Sequence, residues 1–229
     1  MKVVVLVPFR ADGGWRDRLW GFTEAWWKEH FPDWPVVLGQ HDEGPFNRSF
    51  AINVAADAAG DWDVALVVDS DTISEVAAIR VGAEVAYLSG CMVTCHDQRL
   101  MLTERGTKRV LGGYKGAWGQ TRGFVERVWP QSCSSAVAVS RQLFDRAGGF
   151  DDQFVGWGRE DSAFRIACET VSGKPMLRVA APAYHLWHPV SPSTAHGHPD
   201  RVPNEKRFNL YEKAAGKIDQ IDKLTGGSL

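Results

Sequence analysis

Residues 3–7 form an unbroken run of valine and leucine that ends at Pro8. A strand without a polar position has no face to give to water, so it must be covered on both sides, which is the situation inside an α/β sheet. The residues that follow can supply the cover. Trp15, Leu19, Phe22 and Trp26 recur at steps of four, three and four, predicting an amphipathic helix over 16–30 with Pro32 and Pro35 beyond its end. Residues 36–38 and 65–68 read as further strands, and 49–59 as an alanine-rich helix closed by Gly60. Strands alternating with helices predict mostly parallel pairing.

Further along, residues 105–123 carry six glycines around Tyr114 and Trp118 and read as a mobile loop. Residues 135–139 are a strand candidate, and 141–147 a short helix with Ser140 as N-cap and Gly148 as stop. A helix over 162–171 should end at Gly173, and a strand is expected near 177–181. One final helix would align Phe208, Tyr211, Ala215, Ile218 and Ile221. With no repeat or linker, 229 residues of which 44% are apolar predict one domain with a sizeable core. Net charge −2 excludes a general attraction to nucleic acid or anionic lipid. Cys91, Cys95, Cys133 and Cys168 make no disulfide framework, and Cys91-x3-Cys95 is not a usual zinc spacing, so all four are expected to be reduced and mostly buried. The opening apolar run is too short for a signal core or a membrane span, predicting a soluble, cytoplasmic protein that is not secreted.

The chemistry begins where residues 65–68 run into Asp69-Ser70-Asp71. Two carboxylates at the C-terminal end of a strand stand where α/β sheets bind ligands, and they suit a hard divalent cation with positions left open for phosphate oxygens. The triplet by itself fits a solvated turn equally well. His185 and His188, three apart, could be ligands or ordinary core and surface residues. In Gly156-Trp157-Gly158-Arg159-Glu160-Asp161, two glycines let the backbone bring an indole and two carboxylates together. The plainer reading is a helix start with two acids in its first turn. Between Arg99 and Arg127, seven Lys or Arg face only Glu104 and Glu126, which suits a phosphate or an anionic acceptor; nucleic acid ranks below a simply solvated surface.

Taken in chain order, Pro8-Phe9-Arg10, Phe46-Asn47-Arg48 with Asn53-Val54, the Asp69 triplet, the 156–161 segment, and His185-Leu186-Trp187-His188 followed by Asn204-Glu205 and Arg207-Phe208 resemble the β-1,4-galactosyltransferase family of metal-dependent glycosyltransferases. The resemblance spans 3–211. It implies a single-domain GT-A (Rossmann-like) nucleotide-diphospho-sugar transferase fold with a mostly parallel central sheet, a nucleotide-binding half over about 1–92, and an acceptor-binding half over about 93–229 with a lid at 189–207. It also implies a UDP-sugar donor contacted by Pro8, Phe9, Arg10, Phe46, Arg48, Asp69 and Ser70. The metal, Mn2+ or else Mg2+, would be held by Asp71, His185 and His188. Asp161 would be the general base, assisted by Glu160, with Trp157, Gly158 and Glu160 at the acceptor, a hydroxyl of a glycan, protein or modified DNA. Arg159 replaces a glycine usual in the family, and Ser162 stands where relatives often carry a third acid. His196 and His198 have no counterpart and read as loop residues. The segment from Gly156 to Glu160 also resembles the polypeptide N-acetylgalactosaminyltransferases, which would make the reaction retaining rather than inverting. A non-catalytic nucleotide-sugar or glycan-binding module is a third possibility. The family's secreted animal members carry an anchor and stem not seen here, implying a bacterial or phage protein.

Overall fold

In the computed structural model, which describes residues 1–189 and 201–226, β1 (Val3–Pro8) is buried along its whole length. Its side chains alternate between two cores: Val3, Val5 and Val7 join Trp20, Trp27 and Ile79, while Val4 and Leu6 join Ile52, Ala55 and Phe164. The same division holds downstream of α1 (Trp15–His30), β2 (Val36–Gly39) and α2 (Arg48–Ala58), in β3 (Val64–Val68), where Leu66 and Val67 face opposite cores. This two-sided burial is the physical reason for the unbroken apolar runs. Gly39 has a different constraint, because a Cβ there would lie 1.7 Å from the Ala51 carbonyl oxygen. The backbone of α2 sits directly on the end of β2.

Much of the middle of the chain is more regular than its sequence suggests. After β3 come β4 (Thr72–Ser74), α3 (Val76–Ser89), β5 (Val93–Thr94), β6 (Gln98–Leu102), α4 (Glu104–Leu111) and β7 (Val125–Pro130). The expected loop over 105–123 is therefore corrected: it starts as helix α4, whose Gly106 N–H is capped by Thr103 Oγ1 at 3.0 Å. Gly106 is there for space, since a Cβ would meet the Phe124 carbonyl oxygen at 2.8 Å. The chain continues through β8 (Ala136–Ser140), α5 (Arg141–Arg146), α6 (Glu160–Ser172), β9 (Leu177–Arg178), β10 (Pro182–His185), α7 (Val202–Ala214) and α8 (Ile218–Thr225). Ser140 caps α5 as expected, accepting from the Leu143 N–H. The single final helix is a second correction. Gly216, at φ +75°, breaks it, so Phe208, Tyr211 and Ile221 are buried but Ile218 is not.

The main sheet has the order β2-β1-β3-β8-β5-β9, with three of its five pairings parallel and β8 running against both neighbours. Strands from both of the expected halves share it. A second sheet, β4-β10-β6-β7, lies beside it. Helix α1 bridges the two: Trp20 and Trp27 pack on the main sheet, whereas Trp15, Leu19 and Phe22, most of the stripe read from the sequence, pack with Leu102, Val110 and Leu186 of the second cluster. All four cysteines are free, with Cys91, Cys95 and Cys168 buried. Among the described residues no helix is long and apolar enough to cross a membrane.

Candidate active site

The turn after β3 is held from three directions. The Asp69 N–H donates to the Ser135 carbonyl at 3.0 Å, the Thr72 N–H returns to the Asp69 carbonyl at 3.1 Å, and Thr23 Oγ1 of α1 donates to the Ser70 carbonyl at 2.8 Å. The turn feeds β4, whose antiparallel register with β10 sets Thr72 opposite His185, and the Leu186 N–H bonds the Asp71 carbonyl at 2.8 Å. His185 Nε2 consequently lies 3.5 Å from Asp71 Oδ1, and His188 Nε2 lies 3.1 Å from Asp71 Oδ2. The donor atoms of Asp71, His185 and His188 all fall within 4.8 Å of one another. His188 Nδ1 is 2.9 Å from the Pro189 carbonyl oxygen, which can only accept. Nδ1 therefore carries a proton whether or not Nε2 does, and this hydrogen bond orients the ring with Nε2 toward Asp71. Burial would raise the Asp71 pKa, but the two imidazoles outweigh it and hold the carboxyl well below the usual range. Burial lowers the pKa of His185, and the hydrogen bond to Asp71 raises that of His188. One carboxylate with two convergent imidazoles fits a first-row divalent ion such as manganese better than magnesium or calcium, which favour oxygen alone.

The second group of carboxylates is assembled by α2 and α7. Asn47 caps α2 by accepting from the Phe50 N–H at 3.0 Å, while its Nδ2 donates to the Asp152 carbonyl at 2.6 Å. Asn53, further along α2, pairs with the Phe150 backbone both ways, at 2.7 and 2.9 Å. The Gly156 N–H reaches the Phe46 carbonyl at 3.0 Å. From the other side, Asn204 of α7 donates to the Val155 carbonyl at 3.1 Å, and Arg207 and Tyr211 both donate to Asp151. These bonds aim the start of α6 at Arg48. The guanidinium stands 2.7 Å from Asp161, 2.8 Å from Asp69 and 3.8 Å from Glu160. Burial pushes the Asp161 carboxyl up to about 7, with Glu160 and Asp69 adding to the rise and Arg48 opposing it. Burial likewise raises Glu160. The residue before α6, Arg159, sits in the left-handed region at φ +81°, donates to Glu205 at 2.8 Å and lies over the Phe208 ring at 4.8 Å.

The residues singled out in the sequence thus gather at one sheet edge, and several also make contacts within the protein that the sequence does not suggest. Arg48, expected on a diphosphate, directs its donors at carboxylates. Arg10, given the same role, donates to the backbone carbonyls of His41, Glu43 and Gly44 and lies 5.5 Å over Phe46, so it braces the 41–46 loop. Phe9 is packed in the core against Trp20. Pro8 ends β1 and Ser70 is buried in the turn. Trp157 is exposed, with the Arg201 guanidinium 4.5 Å over its ring, and Gly158 adopts φ +106°. Of the expected lid, 190–200 with His196 and His198 lie outside the described residues, and 202–207 belong to α7. Arg48 as a clamp between Asp69 and Asp161 was not legible, because nothing in the sequence brings residues 69 and 161 together.

Comparison with known proteins places the fold. A family model described as the N-terminal domain of galactosyltransferase matches residues 124–172, from just before β7 to the end of α6, and so contains the 156–161 segment. No curated protein sequence matches significantly. Among solved structures, GalNAc-T7 with UDP, GalNAc and Mn2+ aligns with 98% of this chain and 54% of its own at 13% identity and a TM-score of 0.54. The fold is therefore shared with that enzyme, and it is the GT-A arrangement that the sequence resemblance implied. A Drosophila β1,4-galactosyltransferase 7 structure with manganese, UDP-Gal and xylobiose aligns over 77% of this chain at 22% identity and a TM-score of 0.48, and the chain spans 64% of that protein's length. Glucosyl-3-phosphoglycerate synthase from Mycobacterium tuberculosis, with Mn2+, UDP-Glc and phosphoglyceric acid, aligns over the whole chain at 12% identity and a TM-score of 0.45.

Proposed function

We propose that the chain is a metal-dependent glycosyltransferase that moves a hexose or N-acetylhexosamine from a UDP-sugar to a hydroxyl acceptor with inversion. The observation that carries this reading is the junction of two chemistries at one sheet edge: the Asp71, His185 and His188 donors adjoin Asp69, which Arg48 ties to Asp161. A divalent ion, Mn2+ for this donor set, would be held by those three residues and when bound would stabilise the charge of the departing diphosphate. Asp69 and Ser70, with Pro8 and Phe46 on the neighbouring elements, are read as the donor wall, shaped by Arg10 and Arg48. Residues 1–92 supply most of the donor side and 93–229 the acceptor side, apart from His185 and His188.

An acceptor hydroxyl is too weak an acid to attack unaided near neutral pH. In the proposed step the Asp161 carboxylate accepts its proton as the oxygen bonds to the anomeric carbon, and the anomeric C–O bond to the diphosphate breaks with its electron pair leaving on UDP. A base whose pKa is about 7 balances availability against proton affinity. The ionised form is the active one, so kcat/KM should rise about tenfold per pH unit below that value and level off above it. Glu160 is read as the acceptor's second contact, with Trp157 and Gly158. Four free, mostly buried thiols support a reducing, cytoplasmic setting.

The test is to incubate the protein with uridine, guanosine and thymidine diphosphate sugars, with Mn2+ and with chelator, and to follow released nucleotide. Mn2+-dependent turnover of a UDP-sugar, lost in Asp71→Ala and His188→Ala, is expected. No metal-dependent response to any donor would sink the reading. Inversion is checked by NMR of the product anomer, and retention would remove Asp161 from the role of base.

A further inference from the structure

His185 shares its sheet face with a basic, aromatic shelf. Side chains alternate across the second sheet, and its register puts Met101 of β6 and Arg127 of β7 in the row of His185, with Arg99 and Trp129 in the adjacent row of Ala183. Leu102 points the other way, into the cluster under α1. Two strand spacings separate β10 from β7, so the shelf extends roughly 10 Å from His185, about the length of a sugar unit or two.

Its chemistry is specific. The Arg99 and Arg127 guanidinium groups lie 5.1 and 5.9 Å from the Trp129 ring, which is 40% exposed on the edge strand. Arg99 Nη1 donates to the hydroxyls of Ser134 and Ser135 at 3.1 and 2.9 Å, next to the carbonyl that anchors Asp69. Its Nε is buried with no hydrogen-bond partner among the described residues. A buried guanidinium N–H left unmatched is costly, so Arg99 gains from any acceptor that its more exposed end can engage. Among the described residues neither arginine is paired with a carboxylate.

We infer that this shelf receives the acceptor and that the acceptor is an anionic saccharide, with a carboxylate or phosphate at Arg99 and Arg127 and its apolar face on the open part of Trp129. The inference rests on the glycosyltransferase reading above. A nucleic acid suits the shelf less well. Only two of the seven basic residues between Arg99 and Arg127 belong to the strands of the shelf, whereas nucleic-acid affinity grows with the number of phosphates neutralised.

The test uses the full chain with Mn2+ and the UDP-sugar it hydrolyses, against a methyl hexoside, the matching methyl hexuronide and the hexoside 6-phosphate. The expected result is a kcat/KM at least about tenfold higher for an anionic member than for the neutral one, as charge-assisted hydrogen bonds allow. Which anionic member leads distinguishes carboxylate from phosphate. The ratio should fall to about one in Arg127→Ala and in Arg99→Gln. Equal use of neutral and anionic acceptors would overturn the inference, as would variants that raise the donor KM and leave the ratio intact. If no UDP-sugar is hydrolysed, the glycosyltransferase reading has failed, and the shelf is judged by binding. Tryptophan fluorescence quenched by the anionic saccharides only, and not in Trp129→Phe, supports it; no quenching, or a preference for a single-stranded oligonucleotide, overturns it.

Discussion

Replacing Asp161 with asparagine should abolish turnover and stabilise the protein, and the gain should depend on pH. The carboxyl ionises near the ordinary aspartate value of 3.8 in the unfolded chain and at about 7 in the fold, because burial and the neighbouring Glu160 and Asp69 disfavour its charge. A raised carboxyl pKa contributes stability at low pH that is lost as pH rises from the unfolded value to the folded one. Asparagine imitates the protonated form, and its oxygen can still accept from Arg48. The wild type should therefore fall behind the variant by ~1 kcal/mol at pH 4.5 and by ~4 kcal/mol at pH 7.5, a separation of about three pH units at 1.36 kcal/mol each. For a chain of this size that corresponds to a Tm gap widening to roughly 8–16 °C, as an upper bound. Calorimetric melts of both proteins with chelator, from pH 4.5 to 8.5, measure it. A gap that is flat with pH, or a wild type that melts higher throughout, would refute the claim that the Asp161 charge is held at an energetic cost.

Mn2+ should raise the wild-type Tm as its concentration passes Kd, and Asp71→Asn or His188→Ala should remove that rise, read by thermal shift. Arg159→Ala keeps the left-handed backbone but loses the Glu205 and Phe208 contacts and should cost about 1–2 kcal/mol, whereas Arg159→Gly relieves the strain and should stay within about 0.5 kcal/mol of wild type; urea melts decide. Gly39→Ala drives a methyl into the Ala51 carbonyl and should cost more than about 4 kcal/mol, seen as loss of soluble protein or of a cooperative melt.

Some of this was legible before any coordinates. The runs ending at Pro8 and Asp69 announce themselves because two-sided burial leaves no polar position, and Ser140 and Gly173 mark helix ends by local chemistry. The strands within 72–104 were silent because they are two to five residues long and take their meaning from partners far away in the chain, as β4 does from β10. Gly106 misled, since a glycine required by the nearby Phe124 backbone looks the same in sequence as one in a loop. The candidate metal-holding set could be guessed as separate fragments, but its closure depends on β10 pairing with β4. The arginines' contacts within the protein were hidden for a similar reason: only tertiary proximity reveals that Arg48 meets carboxylates and Arg10 meets carbonyls.

Arg48 also limits how such a protein can be recombined. One guanidinium from α2 contacts Asp69 on the proposed donor side and Asp161 on the proposed acceptor side, so the two do not form independent modules. A chimera that joins residues 1–92 to the later part of a relative inherits a buried cation whose counter-charges come from both parents. It should retain activity only if the partner supplies an acid at the position of Asp161, and changing acceptor preference by exchange is confined to elements, such as the β7 edge, that lie outside this charge cluster.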